Sequence, residues 1–172
     1  MKLKLMTLAL LTTLSIPAQA KWSVDMEPSA FSDKQEGYIT SDDDDDDNSI
    51  VFDCEDNKLT ASFVMLLPED DYEDMDSGIS IPMRLKTGNE AFDFGPTAFA
   101  RRNGHYVGIE SKKASDAARA LYMVRNANGP ITMGIKVSGT PPVSLTVPAT
   151  GAKSAADRIA RECDIDLTHK TW

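Results

Sequence analysis

Apolar and polar residues alternate along much of the chain, which is the pattern of β-strands that bury one face and expose the other. The longest such series covers residues 59–67, and a second one covers residues 131–137. Shorter series lie at residues 22–26, 79–85 and 143–147. Segments rich in Gly, Asn and Pro separate these runs and have the composition of tight turns. The pattern therefore predicts several antiparallel strands, each with one buried face.

Two segments follow the helical period instead. Residues 115–126 place apolar side chains along one stripe, with Ser115 as the predicted N-cap. Residues 154–163 form the second predicted helix, in which Ser154 and Asp157 resemble a capping box. Because these helices do not alternate with strands, the order of elements excludes a doubly wound parallel sheet. The predicted fold class is a β-rich α+β fold, with an antiparallel sheet or sandwich and two helices.

The start of the chain has the features of an export signal. Lys2 and Lys4 form a short basic segment, and residues 5–16 form an apolar run that is too short to span a bilayer. Residues 18–20 have the small-x-small pattern that signal peptidases cleave. We therefore expect residues 1–20 to be a signal peptide. An uncleaved N-terminal anchor is the alternative.

The remaining chain is long enough for one domain with one core. We expect residues 21–164 to form a single β-rich domain and residues 165–172 to form a loose C-terminal tail, which has neither a cap nor a periodicity. No later apolar stretch approaches the length of a membrane span, so no stable membrane insertion is expected after cleavage. The predicted location is the periplasm, with the extracellular space as the alternative.

The two cysteines, Cys54 and Cys163, are predicted to form one disulfide, because an isolated pair in an exported protein most simply does so. Cys54 shares a strand face with Phe52, and Cys163 shares a helix face with Ile159. Each sulfur then points from its own element toward the same interior, so the disulfide would join the C-terminal helix to the sheet. No C-x-x-C motif of a redox-active pair is present. Free or intermolecular thiols are the alternative.

The charges are unevenly distributed along the chain. The formal net charge is −9, and it becomes −11 without the two lysines of the predicted signal peptide. Residues 42–76 contain fifteen acidic residues and one lysine, whereas residues 77–172 contain eight acidic and thirteen basic residues. A chain with this net charge repels nucleic acid and anionic lipid headgroups, so nucleic acid is not an expected partner. The acidic part serves solubility, or it faces a cationic partner or a divalent ion.

Two acidic segments, one of them six consecutive aspartates, are predicted to be exposed loops and are the candidate sites for a partner or an ion. The candidate residues are Asp42, Asp43, Asp44, Asp45, Asp46, Asp47, Asp70, Asp71, Asp74 and Asp76. Calcium binds clusters of carboxylates, but neither segment has the Gly and Glu spacing of an EF-hand. Three interpretations stay open: a calcium site shared between the loops, a solvated acidic loop, and a docking surface for a basic protein.

The sequence contains no recognisable catalytic set. It lacks the motifs of P-loop proteins, zinc proteases and serine hydrolases. Its two histidines, His105 and His169, lie near a predicted turn and in the predicted tail. A mechanism that uses a pair of catalytic carboxylates would have to draw them from the isolated ones, which are Glu90, Asp93 and Glu110. We therefore expect no enzyme activity, no catalytic residues and no cofactor, with calcium as the one alternative.

Several short features occur in a particular order along the chain. Trp22 follows the predicted signal peptide and precedes the polar pair at residues 32–33, and a strand then ends at Cys54 with a polar turn after it. An Ala-rich helix, a strand pair and a closing helix that contains Cys163 come later. This layout resembles small exported β-domain proteins of proteobacteria, including periplasmic accessory proteins associated with type VI secretion. The six aspartates and the tail depart from it. The resemblance implies a periplasmic accessory or binding domain, and it supplies no catalytic residues.

Three functions are compatible with these observations. The first is a non-enzymatic periplasmic binding or accessory module of a Gram-negative bacterium, which presents a sheet face or edge to a protein partner that is expected to be basic. The second is an inhibitor or immunity protein that blocks a basic secreted enzyme with its acidic loop. The third is a calcium-dependent surface or adhesion domain.

Overall fold

The computed structural model describes residues 21–30, 33–41, 48–66, 79–101 and 106–168. This part of the chain contains ten strands and two helices. The strands are β1 (Trp22–Pro28), β2 (Gln35–Ser41), β3 (Asn48–Glu55), β4 (Lys58–Leu66), β5 (Met83–Thr87), β6 (Glu90–Asp93), β7 (Thr97–Arg101), β8 (Tyr106–Ser111), β9 (Ile131–Ile135) and β10 (Val143–Val147). The helices are α1 (Ala114–Arg125), between β8 and β9, and α2 (Ala152–Glu162), after β10.

Six strands form the larger sheet in the order β1-β2-β3-β4-β8-β7, with every neighbouring pair antiparallel. The register brings Ile39, Phe52 and Ala61 side by side on one face, and all three are fully buried. A turn at Asp56 and Asn57, both with positive φ, sets the register of β3 against β4. The inward positions of this sheet are buried as predicted, but the outward residues Val51, Ser62 and Val64 of β3 and β4 are buried as well, so these two strands do not expose a whole face.

Four strands form the smaller sheet in the antiparallel order β10-β9-β5-β6. Its inner face contains Leu85, Met133 and Leu145, which are nearly inaccessible to solvent. These side chains belong to the same apolar cluster as the inner face of the larger sheet. The two sheets therefore share one core, and the predicted β-rich α+β fold, an antiparallel sheet or sandwich with two helices, is confirmed with two sheets.

The prediction of a strand at residues 79–85 is only partly correct, because β5 begins at Met83. The backbone of Ile81 bonds a side chain instead of a neighbouring strand. Its N–H donates to Thr97 Oγ1 at 2.8 Å, and the Thr97 hydroxyl donates to the Ile81 carbonyl at 2.7 Å. Thr97 is fully buried in β7, so this residue fastens the larger sheet to the segment that enters the smaller one.

Helix α1 packs against β4, helix α2 packs against β1 and β2, and the two helices contact each other. Both predicted N-caps are wrong, because each helix begins before the predicted serine. The N-cap of α1 is Lys113 and that of α2 is Gly151, and neither position has a side-chain capping bond. The earlier start of α2 adds Ala152 to the buried face of the helix.

The predicted disulfide between Cys54 and Cys163 is present, with a Cα–Cα distance of 6.3 Å. It joins β3 to the residue that ends α2, and both cysteines are buried. The geometry follows from the sequence periods, since both sulfur-bearing residues belong to the apolar face of their elements. The disulfide thus fixes the terminal helix on the inner face of the larger sheet.

Residues of the predicted tail contact the domain. The N–H of Ile165 donates to the Ala160 carbonyl at 2.8 Å, and Leu167 is only 8% exposed. Ile165 and Leu167 therefore pack on the core, and residues 169–172 lie outside the described part of the chain. Within the described residues, neither helix is long and apolar enough to cross a membrane.

Candidate functional site

The outer face of the larger sheet is strongly acidic. The strand positions that alternate with the buried ones point away from the core, and in the described strands they place six carboxylates and one lysine on this face. We call this surface the acidic face, and its charged residues are Asp25, Glu27, Glu36, Asp53, Glu55, Glu110 and Lys58. Every one of these residues is partly or fully exposed. The face therefore offers negative charge to the solvent.

The strand register brings the acidic residues close together although they are distant in sequence. Tyr38 lies between Asp25 on β1 and Asp53 on β3. Glu27 lies directly opposite Glu36, which places two like charges across one strand pair. Directly opposed like charges destabilise a sheet. The acidic face therefore carries a local energetic penalty, which is typical of surfaces that have a function besides folding.

An open cleft of about 440 Å³ lies in this face, and we call it the acidic cleft. Four carboxylates, one ammonium group and an aromatic ring line it, namely those of Glu36, Asp53, Glu55, Glu110, Lys58 and Tyr38. The Tyr38 side chain is 41% exposed, so its ring is accessible beside the carboxylates. An exposed aromatic ring among mostly negative charges suits a cationic side chain, which gains both ion pairing and contact with the ring.

Gly37 lies at the edge of the cleft, where strands β1 and β2 approach each other closely. Its φ is +154°, and an added Cβ would lie only 2.1 Å from the Asp25 carbonyl oxygen. Any larger residue would therefore force β1 away from β2. Because Glu36 and Tyr38 flank this glycine, the close approach also sets the position of two residues of the acidic cleft.

Large apolar side chains are also exposed on the acidic face. Leu66 is opposite Tyr106 on β8, and these residues are 38% and 43% exposed. Together with Tyr38 they give the face apolar anchors in an otherwise charged surface. Protein-binding surfaces combine such anchors, above all tyrosine, with a polar surround.

The sequence did not single out this face. Its acidic residues are isolated in the chain and alternate with apolar ones, so they form no run that draws attention. The sequence feature that could have revealed this face is the set of outward-facing polar positions of the predicted strands, compared from one strand to the next. The pairing of β1, β2 and β3 is needed to bring Asp25, Tyr38 and Asp53 into one row.

The predicted acidic segments lie outside the described residues. This applies to Asp42–Asp47 and also to Asp70, Asp71, Asp74 and Asp76. In the part of the chain that the structure describes, no group of three His, Cys, Asp or Glu side chains is arranged to hold a metal ion. The calcium hypothesis therefore depends on the acidic segments alone, and it stays a prediction.

The three isolated carboxylates are not brought together as a catalytic pair. Glu110 belongs to the acidic cleft, whereas Asp93 lies on the smaller sheet and accepts two hydrogen bonds from Arg84, at 2.5 and 2.8 Å. The Arg84 hydrogen bond holds the pKa of the Asp93 carboxyl below its ordinary value. Glu90 is exposed at the start of β6. His105 and His169 lie outside the described residues.

The resemblance to small exported β-domain proteins stays a prediction, because no relative bears on it. Comparison with protein-family models, with curated proteins and with solved structures finds no match to this chain.

Proposed function

We propose that this protein is an exported, non-enzymatic binding module of the periplasm, and that its acidic face docks a cationic segment of a protein partner. The observation that carries the proposal is the acidic cleft, in which four carboxylates surround the exposed ring of Tyr38. A lysine or arginine side chain that enters this cleft finds charge, hydrogen-bond acceptors and an aromatic surface together.

The electrostatics of the whole molecule favour such a partner. The net charge of −9 has the same sign as the acidic face, so it attracts a cationic partner from a distance and raises its association rate. Tyr38, Leu66 and Tyr106 supply the apolar contact that charge alone does not provide. The negative charge then determines the association rate and the sign of the charge that the partner must carry, and the apolar residues contribute to affinity.

Export is part of the same proposal. Residues 1–20 have the three parts of a signal peptide, and the buried Cys54–Cys163 disulfide is of the kind that persists in oxidising compartments. The experiment is amino-terminal sequencing of the protein recovered from a periplasmic extract. We expect the mature chain to begin at Lys21. An intact leader on cytoplasmic material would contradict export.

Binding is tested with a Lys-rich peptide by calorimetry on the mature protein. We expect the double variant Asp53→Asn/Glu55→Gln to bind about tenfold more weakly than the wild type, because two ion pairs at a partly desolvated surface are lost. The matched control is Glu90→Gln/Asp164→Asn, which removes the same two charges from exposed positions elsewhere. If both double variants lose affinity equally, only the net charge matters and the acidic face is not the site.

An inhibitor of a basic secreted enzyme would use the same surface, and the acidic cleft favours this form of the proposal as well. A basic cell-wall hydrolase is the appropriate probe. If the protein is an inhibitor, it slows turnover at stoichiometric concentration and the Asp53→Asn/Glu55→Gln variant does not. Binding without any effect on turnover would leave the accessory role and exclude inhibition of that enzyme.

A further inference from the structure

The outer face of the smaller sheet has the opposite charge, and we propose that it docks a short acidic peptide segment of a second protein. The surface, which we call the basic groove, is lined on this face by Arg84, Lys86, Asp93, Gly134, Lys136 and Pro142 together with hydroxyl-bearing neighbours. It lies on the far side of its own sheet from the shared core, and it has no residue in common with the acidic face. The groove therefore adds a second binding surface to the proposed function and does not depend on it.

The shape of the groove follows from one glycine. Gly134 on β9 lies between Arg84 on β5 and Ser144 on β10 in the strand register, so the row of side chains is interrupted in its middle. A Cβ at Gly134 would lie 2.9 Å from the Val143 carbonyl oxygen, which makes a side chain there incompatible with the close β9–β10 pairing. The interruption opens a groove of about 470 Å³ on the sheet surface.

Three cationic side chains surround this groove, and one of them is held in place. Arg84 forms a bidentate ion pair with Asp93, and this pair orients the Arg84 guanidinium across the sheet. Lys86 and Lys136 are exposed, and neither has an ion pair with any residue that the structure describes. Their ammonium groups therefore remain available to carboxylates of a ligand.

The chemistry of the walls distinguishes a peptide from a simple anion. Pro82 and Pro142 form an apolar side of the groove, and both are exposed. Next to Lys86 in the register, Thr132 and Thr146 share a hydrogen bond of 2.8 Å and present hydroxyl groups. A phosphate ion gains no favourable contact from the apolar side. A peptide with alternating acidic and apolar side chains contacts both the cations and the apolar side of the groove.

The size of the ligand is limited by the charge of the rest of the molecule. Nucleic acid, an anionic membrane or a second copy of this chain would face the net charge of −9 and be repelled. At physiological ionic strength charges are screened beyond about 8 Å, so a short peptide in the groove experiences mainly the three nearby cations and the one carboxylate, Asp93, that pairs with Arg84. A short acidic segment is therefore the occupant that fits both the local and the overall charge.

The test is fluorescence anisotropy with a labelled peptide of Glu, Leu and Gly, and with a second peptide in which Gln replaces each Glu. We expect the mature protein to bind the Glu peptide, and we expect Lys86→Glu/Lys136→Glu to weaken binding at least about tenfold. The matched control Lys112→Glu/Lys153→Glu reverses two exposed lysines elsewhere, and its affinity should fall about twofold at most. Unchanged melting temperatures of both variants show that the fold is intact.

Every other outcome overturns the proposal. No binding of the Glu peptide, equal loss in the two double variants, or equal binding of the Gln peptide would each exclude an acidic peptide site in the groove. Equally strong competition by inorganic phosphate would indicate a simple anion site, and dimerisation that the groove variant abolishes would identify a second copy as the occupant. Asp53→Asn/Glu55→Gln should bind the Glu peptide normally, which separates this result from any failure of the acidic face.

Discussion

The two sheets are built by the same rule and carry opposite outer surfaces. Each places apolar side chains on the inner face at every second position, and each joins the same core. On the outer face the larger sheet has six carboxylates and one lysine, whereas the smaller sheet has three cations around its groove and the single carboxylate Asp93. The inward positions therefore determine the fold, and the outward positions remain free to determine which partner each sheet binds.

The sheets also differ in how they are held. The larger sheet is fixed to the terminal helix by the Cys54–Cys163 disulfide. No cysteine lies in the smaller sheet, which depends on apolar packing and on the buried bonds between Thr97 and Ile81. We therefore expect the larger sheet to respond to redox conditions and the smaller one to respond to changes at the Thr97 contact.

Removal of the disulfide is the change with the largest expected effect on the larger sheet. The bonded cysteines are 109 residues apart, and the chain-entropy model gives about 4–5 kcal/mol for a loop of this length. The Cys54→Ala/Cys163→Ala variant should lose about that much free energy of unfolding in urea denaturation. The reduced wild type is the control and should unfold near the same midpoint. An unchanged midpoint in both would show that the larger sheet does not depend on the disulfide.

Substitution of Gly37 tests whether the acidic cleft depends on the close approach of β1 and β2. The Gly37→Ala side chain would meet the Asp25 carbonyl, so we expect a loss of roughly 2–3 kcal/mol in stability. Gly129→Ala is the matched control, because an added Cβ there meets no atom within 4 Å. Thermal denaturation of both variants measures the difference. Equal melting temperatures would mean that β1 moves without penalty.

The Thr97→Val substitution tests the link between the sheets. It keeps the shape of the side chain but leaves the Ile81 N–H and carbonyl without their buried partner. The expected loss is about 2 kcal/mol in free energy of unfolding. Thr146→Val removes a hydroxyl from an exposed position on the smaller sheet and should change stability by less than about 0.5 kcal/mol. Comparable effects of the two variants would argue against the proposed link.

The smallest expected effect concerns the Arg84–Asp93 pair in the basic groove. Since the Arg84 hydrogen bond lowers the pKa of Asp93 in the folded state, its contribution is present above the unfolded-state pKa and is lost as the pH falls through the folded-state value. The Arg84→Gln variant should raise the Asp93 pKa in an NMR titration of the carboxyl carbon. Arg161→Gln, which lies on α2, should leave it unchanged. An Asp93 pKa that does not respond to Arg84 would remove the ion pair from the description of the groove.

The sequence predicted the elements correctly where the period of the apolar residues alone determines the local structure. The alternation at residues 59–67 and 131–137 placed two strands nearly correctly, and the periods around Cys54 and Cys163 predicted the disulfide. The helix starts were wrong because Lys113 and Gly151 lack the side-chain cap that a sequence pattern detects. Such a start is determined by tertiary packing rather than by a local signal.

The two binding faces were not predictable in the same way. A strand's polar positions can be read from the sequence, but which of them become neighbours depends on strand order and register. Asp53 and Glu110 reach one cleft only because β4 pairs with both β3 and β8. Likewise, the groove around Gly134 requires β9 to lie between β5 and β10. Neither arrangement is expressed in a run or a motif of the sequence.

The most direct test of the acidic face is an NMR titration of the isotope-labelled mature protein with the Lys-rich peptide. We expect the largest chemical-shift changes at the amides of Tyr38, Asp53 and Glu55, with saturation, and little change at Lys86 and Lys136 on the smaller sheet. Shifts that concentrate on the smaller sheet, or that spread evenly over the surface without saturation, would contradict the account.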